Sequence, residues 1–206
     1  METYKVTDIR QAVKNQNRVN IFVNGKYAFS LDLAQLVDLK LKIGKEITED
    51  ELVEYKRLSE FGKLYQRTLE WVLTRPRSVK ETEDYLYKKI YEKKLEKNYL
   101  NNIIEKLKSR NYLDDEKFAE WYVENRFVKK GVSERRLRME LVKKGIGGEV
   151  VEKALRGSGR NDEEEIRKII TKKRTRYDDE KLIQYLCRQG FSYELVQNLV
   201  QFYGKD

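Results

Sequence analysis

The sequence predicts a mainly α protein, built of tandem three-helix repeats behind a small β-containing head. Three observations carry this. Residues 62–206 show helical spacing and repeat themselves, residues 19–31 carry a hairpin pattern, and charge is split unevenly between the two parts. The head, residues 1–61, holds 10 basic and 10 acidic side chains and is neutral. Residues 62–206 hold 34 basic and 25 acidic ones, so the whole net charge of +9 lies there. With 39% apolar residues the chain can build real cores, but 38% charge needs more surface than one large globule offers.

In the head, the run from Val19 to Leu31 reads as a hairpin around Asn24-Gly25. A two-residue turn would pair Val23 with Lys26 and put Tyr27 and Phe29 opposite Val19, Ile21 and Val23. A three-residue loop with Gly25 left-handed puts all five on one side. That register gives a single buried face and is preferred. An earlier strand around Tyr4–Val13, joined through Asn15-Gln-Asn17, makes a three-stranded sheet. Asp32 can cap a short helix carrying Leu33, Leu36, Val37 and Leu39. Thr48-Glu-Asp-Glu51 fits a capping box, in which hydroxyl and carboxylate satisfy helix-start amides reciprocally. Leu52, Tyr55 and Leu58 follow at helical spacing.

From residue 62 an internal repeat appears. Leu69-Glu-Trp-Val72 is echoed by Ala119-Glu-Trp-Tyr122, and Ile103-Ile-Glu-Lys-Leu107 by Val150-Val-Glu-Lys-Ala154 and Leu195-Val-Gln-Asn-Leu199. Leu141-Val-Lys-Lys-Gly-Ile146 aligns with Leu186-Cys-Arg-Gln-Gly-Phe191. Three units follow: 62–113, 114–157 and 158–206. The apolar stripes Leu100, Ile103, Ile104, Leu107 and Leu195, Val196, Leu199, Val200, Phe202 predict that neighbouring units share a core. Ser78-Val-Lys-Glu81 is a second capping box, Ser192 can cap the last helix, and Asp114-Asp115 and Asp178-Asp179 suit helix starts. Gly145 and Gly190 suit left-handed helix ends. Trp71 and Trp121 read as core anchors rather than base-stacking platforms.

The absences narrow function. Without His there is no Ser-His or Cys-His catalytic pair and no His-based zinc site. The single cysteine, Cys187, cannot close an intrachain disulfide and fits a reducing compartment. No apolar run approaches the ~18 residues of a membrane span, and the start lacks the layout of a signal peptide. The expectation is a cytoplasmic protein that is not an enzyme, with no cofactor, no catalytic or metal-binding residues and no membrane partner. The carboxylate pairs at 114–115 and 178–179 are the only candidates for metal or acid–base work, and each adjoins a predicted helix start. A basic excess confined to one part points to an anionic partner, most often nucleic acid.

An ordered set of stretches resembles the RecX regulators of bacterial RecA recombinase: Arg75-Pro-Arg-Ser78, Tyr112-Leu-Asp-Asp-Glu-Lys-Phe-Ala119, Lys130-Gly131, Glu140-Leu-Val-Lys-Lys-Gly-Ile146 and Arg188-Gln-Gly-Phe191. They span about 62–206, and the hairpin head resembles the N-terminal extension of some members. The resemblance implies a non-enzymatic protein that binds the RecA–DNA filament and modulates, usually inhibits, its recombinase and ATPase activities. It also implies an elongated, curved array of the repeats lying in the filament groove. The chain departs from the pattern in repeat one: Leu86 to Leu141 is 55 residues but Ile103 to Val150 is 47, so the link there is eight residues longer. Lys88–Lys97 replaces the usual Lys-Gly, and its five lysines either aid binding or solvate an extended helix.

A binder of that kind needs cations for phosphates or acidic protein surface. In repeat two, Leu137 and Leu141 should face the core, with Arg135 and Arg138 on one flank and Arg136 and Lys143 on the other. Arg126, Lys129 and Lys130 lead into that helix, and Lys144 follows it. These, with Arg75 and Arg77, are the expected filament- and DNA-binding set; arginine suits bidentate contacts. Expected partners are the RecA filament and single- and double-stranded DNA without sequence preference, met by a monomer. The alternative is a sequence-tolerant nucleic-acid-binding helical protein acting without RecA.

Overall fold

Alternating apolar residues near the start build strands β1 (Tyr4–Ala12), β2 (Asn15–Val23) and β3 (Lys26–Asp32) in one antiparallel sheet. The structure, a computed structural model, describes residues 3–13, 15–129 and 131–203; of 127–129 only the backbone is considered. A fourth strand, β4 (Glu46–Ile47), pairs with Tyr4 and Lys5, so the order is β3-β2-β1-β4 rather than the expected three strands. Two residues are too few to show alternation in a sequence. Ala12 pairs with Asn15, so Asn15, Gln16 and Asn17 belong to β2 and are not the connection.

The hairpin also differs from the preferred register. Val23 pairs with Lys26, which leaves the two-residue turn Asn24-Gly25 with φ of 49° and 78°. Two positive φ values match the twist of the flanking strands. The buried face survives because of a bulge: Phe22 pairs with Tyr27 but Ile21 with Phe29, leaving Ala28 extra. Phe29 and Leu31 therefore turn inward with Val19, Ile21 and Val23. Tyr27 stays outside against Phe22, ring centroids 6.1 Å apart.

Asp32 and Gln35 form a reciprocal cap on α1 (Leu33–Asp38). Thr48 and Glu51 do the same for α2 (Glu49–Leu73), through bonds of 2.8 and 3.2 Å. Leu52 and Tyr55 bury against the sheet core. α2 continues through Gly62, where a helix-interior glycine costs about 1 kcal/mol. A Cβ there would lie 3.3 Å from Arg18 Nη1 and Gln35 Oε1. Arg18 is buried and donates to the Ser30 carbonyl at 2.6 Å and to its hydroxyl at 3.1 Å.

The remaining helices are α3 (Val79–Lys93), α4 (Tyr99–Ser109), α5 (Asp115–Lys129), α6 (Glu134–Lys143), α7 (Gly148–Gly157), α8 (Asp162–Lys173), α9 (Asp179–Arg188) and α10 (Tyr193–Phe202). Residues 1–71 with 90–103 form one unit and 72–89 with 104–206 another. In the second, α5–α7 enclose Phe118, Val123, Leu137, Leu141 and Val151, while α8–α10 enclose Ile166, Leu182, Leu186, Val196 and Val200. Each fully buried Leu or Ile contributes about 1.5–3 kcal/mol. Trp121 is half-buried beside Phe118, as an anchor would be.

Capping fixes where these helices begin. Ser133, Asp178 and Ser192 accept from the backbone amide three residues on, as Ser78 does from Glu81. The α6 and α9 ends are left-handed at Gly145 (φ 82°) and Gly190 (φ 95°). Ile146 then donates to the Leu141 carbonyl and Phe191 to that of Leu186, closing each helix. At the end of α3 the same bond runs from Leu95 to the Ile90 carbonyl, and Lys94 takes the left-handed place with φ 53°. From Ser78 to Lys94 is sixteen residues, against twelve from Ser133 to Gly145 and from Asp178 to Gly190. Half of the eight-residue excess is thus one more turn of α3, and half lies between Lys94 and α4.

Candidate functional site

The second helices of the repeats organise the basic surface. An aspartate at the start of the next repeat caps α3 and α6: Asp115 accepts from the Val79 amide at 2.9 Å, and Asp162 from the Glu134 amide at 3.0 Å. The glycines that end α6 and α9 let the second helix of the preceding repeat come close. A Cβ on Gly145 would lie 2.6 Å from Lys80 Cβ, and one on Gly190 would lie 2.5 Å from Ser133 Oγ. The Ser133 amide and Arg136 Nη1 donate to the Gln189 and Arg188 carbonyls at the end of α9. Below this junction Arg160 donates to the Val132 carbonyl and lies 3.7 Å from Glu165, their side chains 3% and 4% exposed.

Within that frame three glutamates gather half of the expected cations. Glu140 accepts from Arg126 Nε and Nη2 at 2.9 and 3.1 Å, from Arg136 Nε at 3.2 Å and from the Tyr122 hydroxyl at 2.8 Å. Burial alone would raise its carboxyl; the bonds from Arg126, Tyr122 and Arg136 overcome that and hold it at about 2. Burial and the Glu140 charge push the Tyr122 phenol up to about 12. Glu81 accepts from Arg75 at 3.1 and 3.3 Å and from Lys144 at 2.5 Å. These bonds outweigh burial and keep its carboxyl below the usual range. Glu152 accepts from Arg138 at 2.5 and 3.0 Å, which holds the Arg138 guanidinium above its ordinary value.

The expected set therefore separates. Arg75, Arg126, Arg136, Arg138 and Lys144 are paired with carboxylates of this chain. Arg75 also lies 5.6 Å from the Trp121 ring, and Arg77 bonds the Thr74 hydroxyl at 3.2 Å. Burial, then Arg75, lowers the Arg77 guanidinium. Arg135 and Lys143 are exposed, with no ion-pair partner among the described residues. They share the solvent side of α6 with Met139 and Val142, 57% and 56% exposed, instead of lying on opposite flanks. Lys130 lies outside the described residues, and of Lys129 only the helical backbone is described. Leu137 and Leu141 are buried as expected.

Sequence spacing marks these acids as partners unevenly. Arg136 and Glu140 stand at i, i+4, a readable pairing signal. Lys144 and Glu81 are 63 residues apart and gave none. A cavity of about 260 Å³ is lined by Lys80, Lys143 and Lys144 together with Glu81, Asp84, Glu140 and Tyr122, so it is mixed in sign. Asp114 and Asp178 cap α5 and α9, and Asp115 caps α3. Among the described residues no three Asp, Glu or Cys gather as metal ligands, and no helix is long and apolar enough to cross a membrane.

Residues 4–48 match the family model "Regulatory protein RecX N-terminal domain", and residues 114–155 match "RecX, second three-helix domain". The chain is 32% identical over 204 residues to "Regulatory protein RecX" of Bacillus licheniformis, covering 95% of this chain and 76% of that one. It is 33% identical over 199 residues to the protein of that name from Bacillus subtilis, covering 93% and 74%. A crystal structure of regulatory protein RecX superposes with a TM-score of 0.68 at 25% identity, over 95% of this chain and 98% of that one. RecX from Lactobacillus salivarius gives 0.53 at 24% identity over 71% and 97%, which speaks to fold alone. With both models matched in place and relatives aligned along most of its length, the chain belongs to the RecX family of regulatory proteins.

Proposed function

We propose that this protein modulates RecA recombinase, chiefly as an inhibitor, by binding in the groove of the RecA–DNA filament through the basic surface of its repeats. The observation that carries the reading is family membership. Supporting it, the net charge of +9 lies wholly in residues 62–206. Arg135 and Lys143 make first contact, because they stand in solvent beside the apolar Met139 and Val142. Arg75, Arg126, Arg136, Arg138 and Lys144, with Arg77, Lys129 and Lys130, complete the surface. A guanidinium carries five donors and a bidentate carboxylate uses two, so an arginine held by Glu140 or Glu81 still has donors for a phosphate or an acidic protein side chain. Holding it in one orientation lowers the entropy lost on binding.

Cognate RecA on single-stranded DNA, titrated with this protein, tests the reading. ATP turnover and strand exchange should fall at well below one protein per base. Unchanged turnover together with no association with the filament would sink it.

A further inference from the structure

The extra turn of α3 exposes a feature that α6 and α9 lack. Tyr87 and Tyr91 are 68% and 79% exposed. Four residues apart on one helix, the rings stand on one face, about 6 Å apart along the axis. Exposed Lys88 flanks them, and exposed Lys94 follows the last helical residue. Lys94 holds φ 53° where the equivalent Gly145 and Gly190 stand at 82° and 95°. A left-handed backbone is less favourable for a lysine than for a glycine, so this cation stands against the local backbone preference. Across Lys88–Lys97 five lysines meet two glutamates, and Glu96 is already paired with Arg57.

We propose that Tyr87, Tyr91 and Lys94 form a binding strip for single-stranded nucleic acid, each ring stacking on one base and the lysine meeting the phosphates. Planar partners with negative charge between them suit two exposed phenols bordered by cations. The ring spacing of about 6 Å exceeds the ~3.4 Å step of a stacked strand. It fits bases drawn apart, whereas the faces of duplex bases are covered by their neighbours. The strip deepens the DNA side of the function proposed above and rests on it only in placing DNA on the repeats. Its test runs without RecA, so either can fail alone.

Fluorescein-labelled oligothymidylate and a duplex of mixed sequence, each titrated with the full chain and read by anisotropy, provide that test. Tyr87→Ala/Tyr91→Ala should weaken oligothymidylate binding at least about tenfold, the worth of two stacked bases, while duplex binding holds. Tyr87→Phe/Tyr91→Phe should restore affinity to within about threefold, since the ring face remains. Lys94→Gly, whose backbone favours the observed turn, should reduce the salt slope by about one contact. Tyr193→Ala, an exposed tyrosine on α10, should bind as wild type. Undiminished oligothymidylate binding by the double alanine variant overturns the strip. So does equal loss on the duplex, or a wild-type chain that binds neither probe. Lost RecA inhibition with intact oligothymidylate affinity would make the patch a protein contact and equally overturn it.

Discussion

α3 and α6 hold equivalent places in successive repeats and solve the same structural problem, yet they present different chemistry. Both start at a serine cap, both receive an aspartate from the next repeat on their first amide, and both bury a leucine eight residues after the cap, Leu86 and Leu141. On α6 the arginines are gripped by Glu140 and Glu152, leaving a small exposed patch of Arg135, Met139, Val142 and Lys143. α3 runs one turn further, ends on a lysine instead of a glycine, and exposes two tyrosines. The lesson is that the repeat conserves caps and core spacing within this chain while its polar face is free to differ.

The shared framework gives the largest expected effects. Leu86→Ala and Leu141→Ala should each destabilise by about 2–5 kcal/mol, because each empties a fully buried site. Urea unfolding read by circular dichroism checks this; a marked inequality between the two would break the equivalence of the helices.

Next comes the carboxylate hub that α3 lacks in this form. Glu140→Gln should cost about 1–3 kcal/mol, since Arg126, Arg136 and Tyr122 lose their charged acceptor in a part-buried place. The folded carboxyl, held at about 2, lies below the ordinary value of about 4.3. Its contribution is therefore complete above about pH 5 and is lost as pH falls toward 2. Wild-type stability should drop over that window and the Gln variant should drop less; identical acid profiles would remove Glu140 from the account.

The helix ends sharpen the contrast at a smaller scale. Gly145→Ala should destabilise by more than about 1 kcal/mol, because the left-handed backbone and the 2.6 Å approach to Lys80 both oppose a Cβ. Lys94→Gly should move the other way, stabilising by about 0.5–1 kcal/mol. Thermal melts of the pair decide whether the two ends are the same turn filled differently. Smallest of all, Arg135→Ala/Lys143→Ala should leave the melting temperature in place while reducing any effect on RecA.

Much of this organisation is readable along the chain. Caps at Ser78, Asp178 and Ser192 are local hydrogen-bonding events, and the leucine spacing reports a core directly. The hairpin shows where such reading stops. Its turn residues were legible, but the bulge at Ala28 reconciles two registers that simple alternation treats as exclusive. The basic set was legible as composition and not as geometry. Which arginines are held and which stand free is decided by Glu81, Glu140 and Glu152. The Lys144–Glu81 pair joins residues 63 positions apart, and no local pattern signals it. Lys94 was hidden for a related reason: a left-handed helix end announces itself through glycine, and here the glycine is absent.

The most direct measurement is ATP turnover by cognate RecA on single-stranded DNA, titrated in parallel with the wild-type chain and with Arg135→Ala/Lys143→Ala. Wild type should suppress turnover at well below one protein per base, and the variant should need several-fold more protein at the same folded stability. Suppression by the variant equal to wild type would remove the α6 patch from the interface, and no suppression by either chain would contradict regulation of RecA altogether.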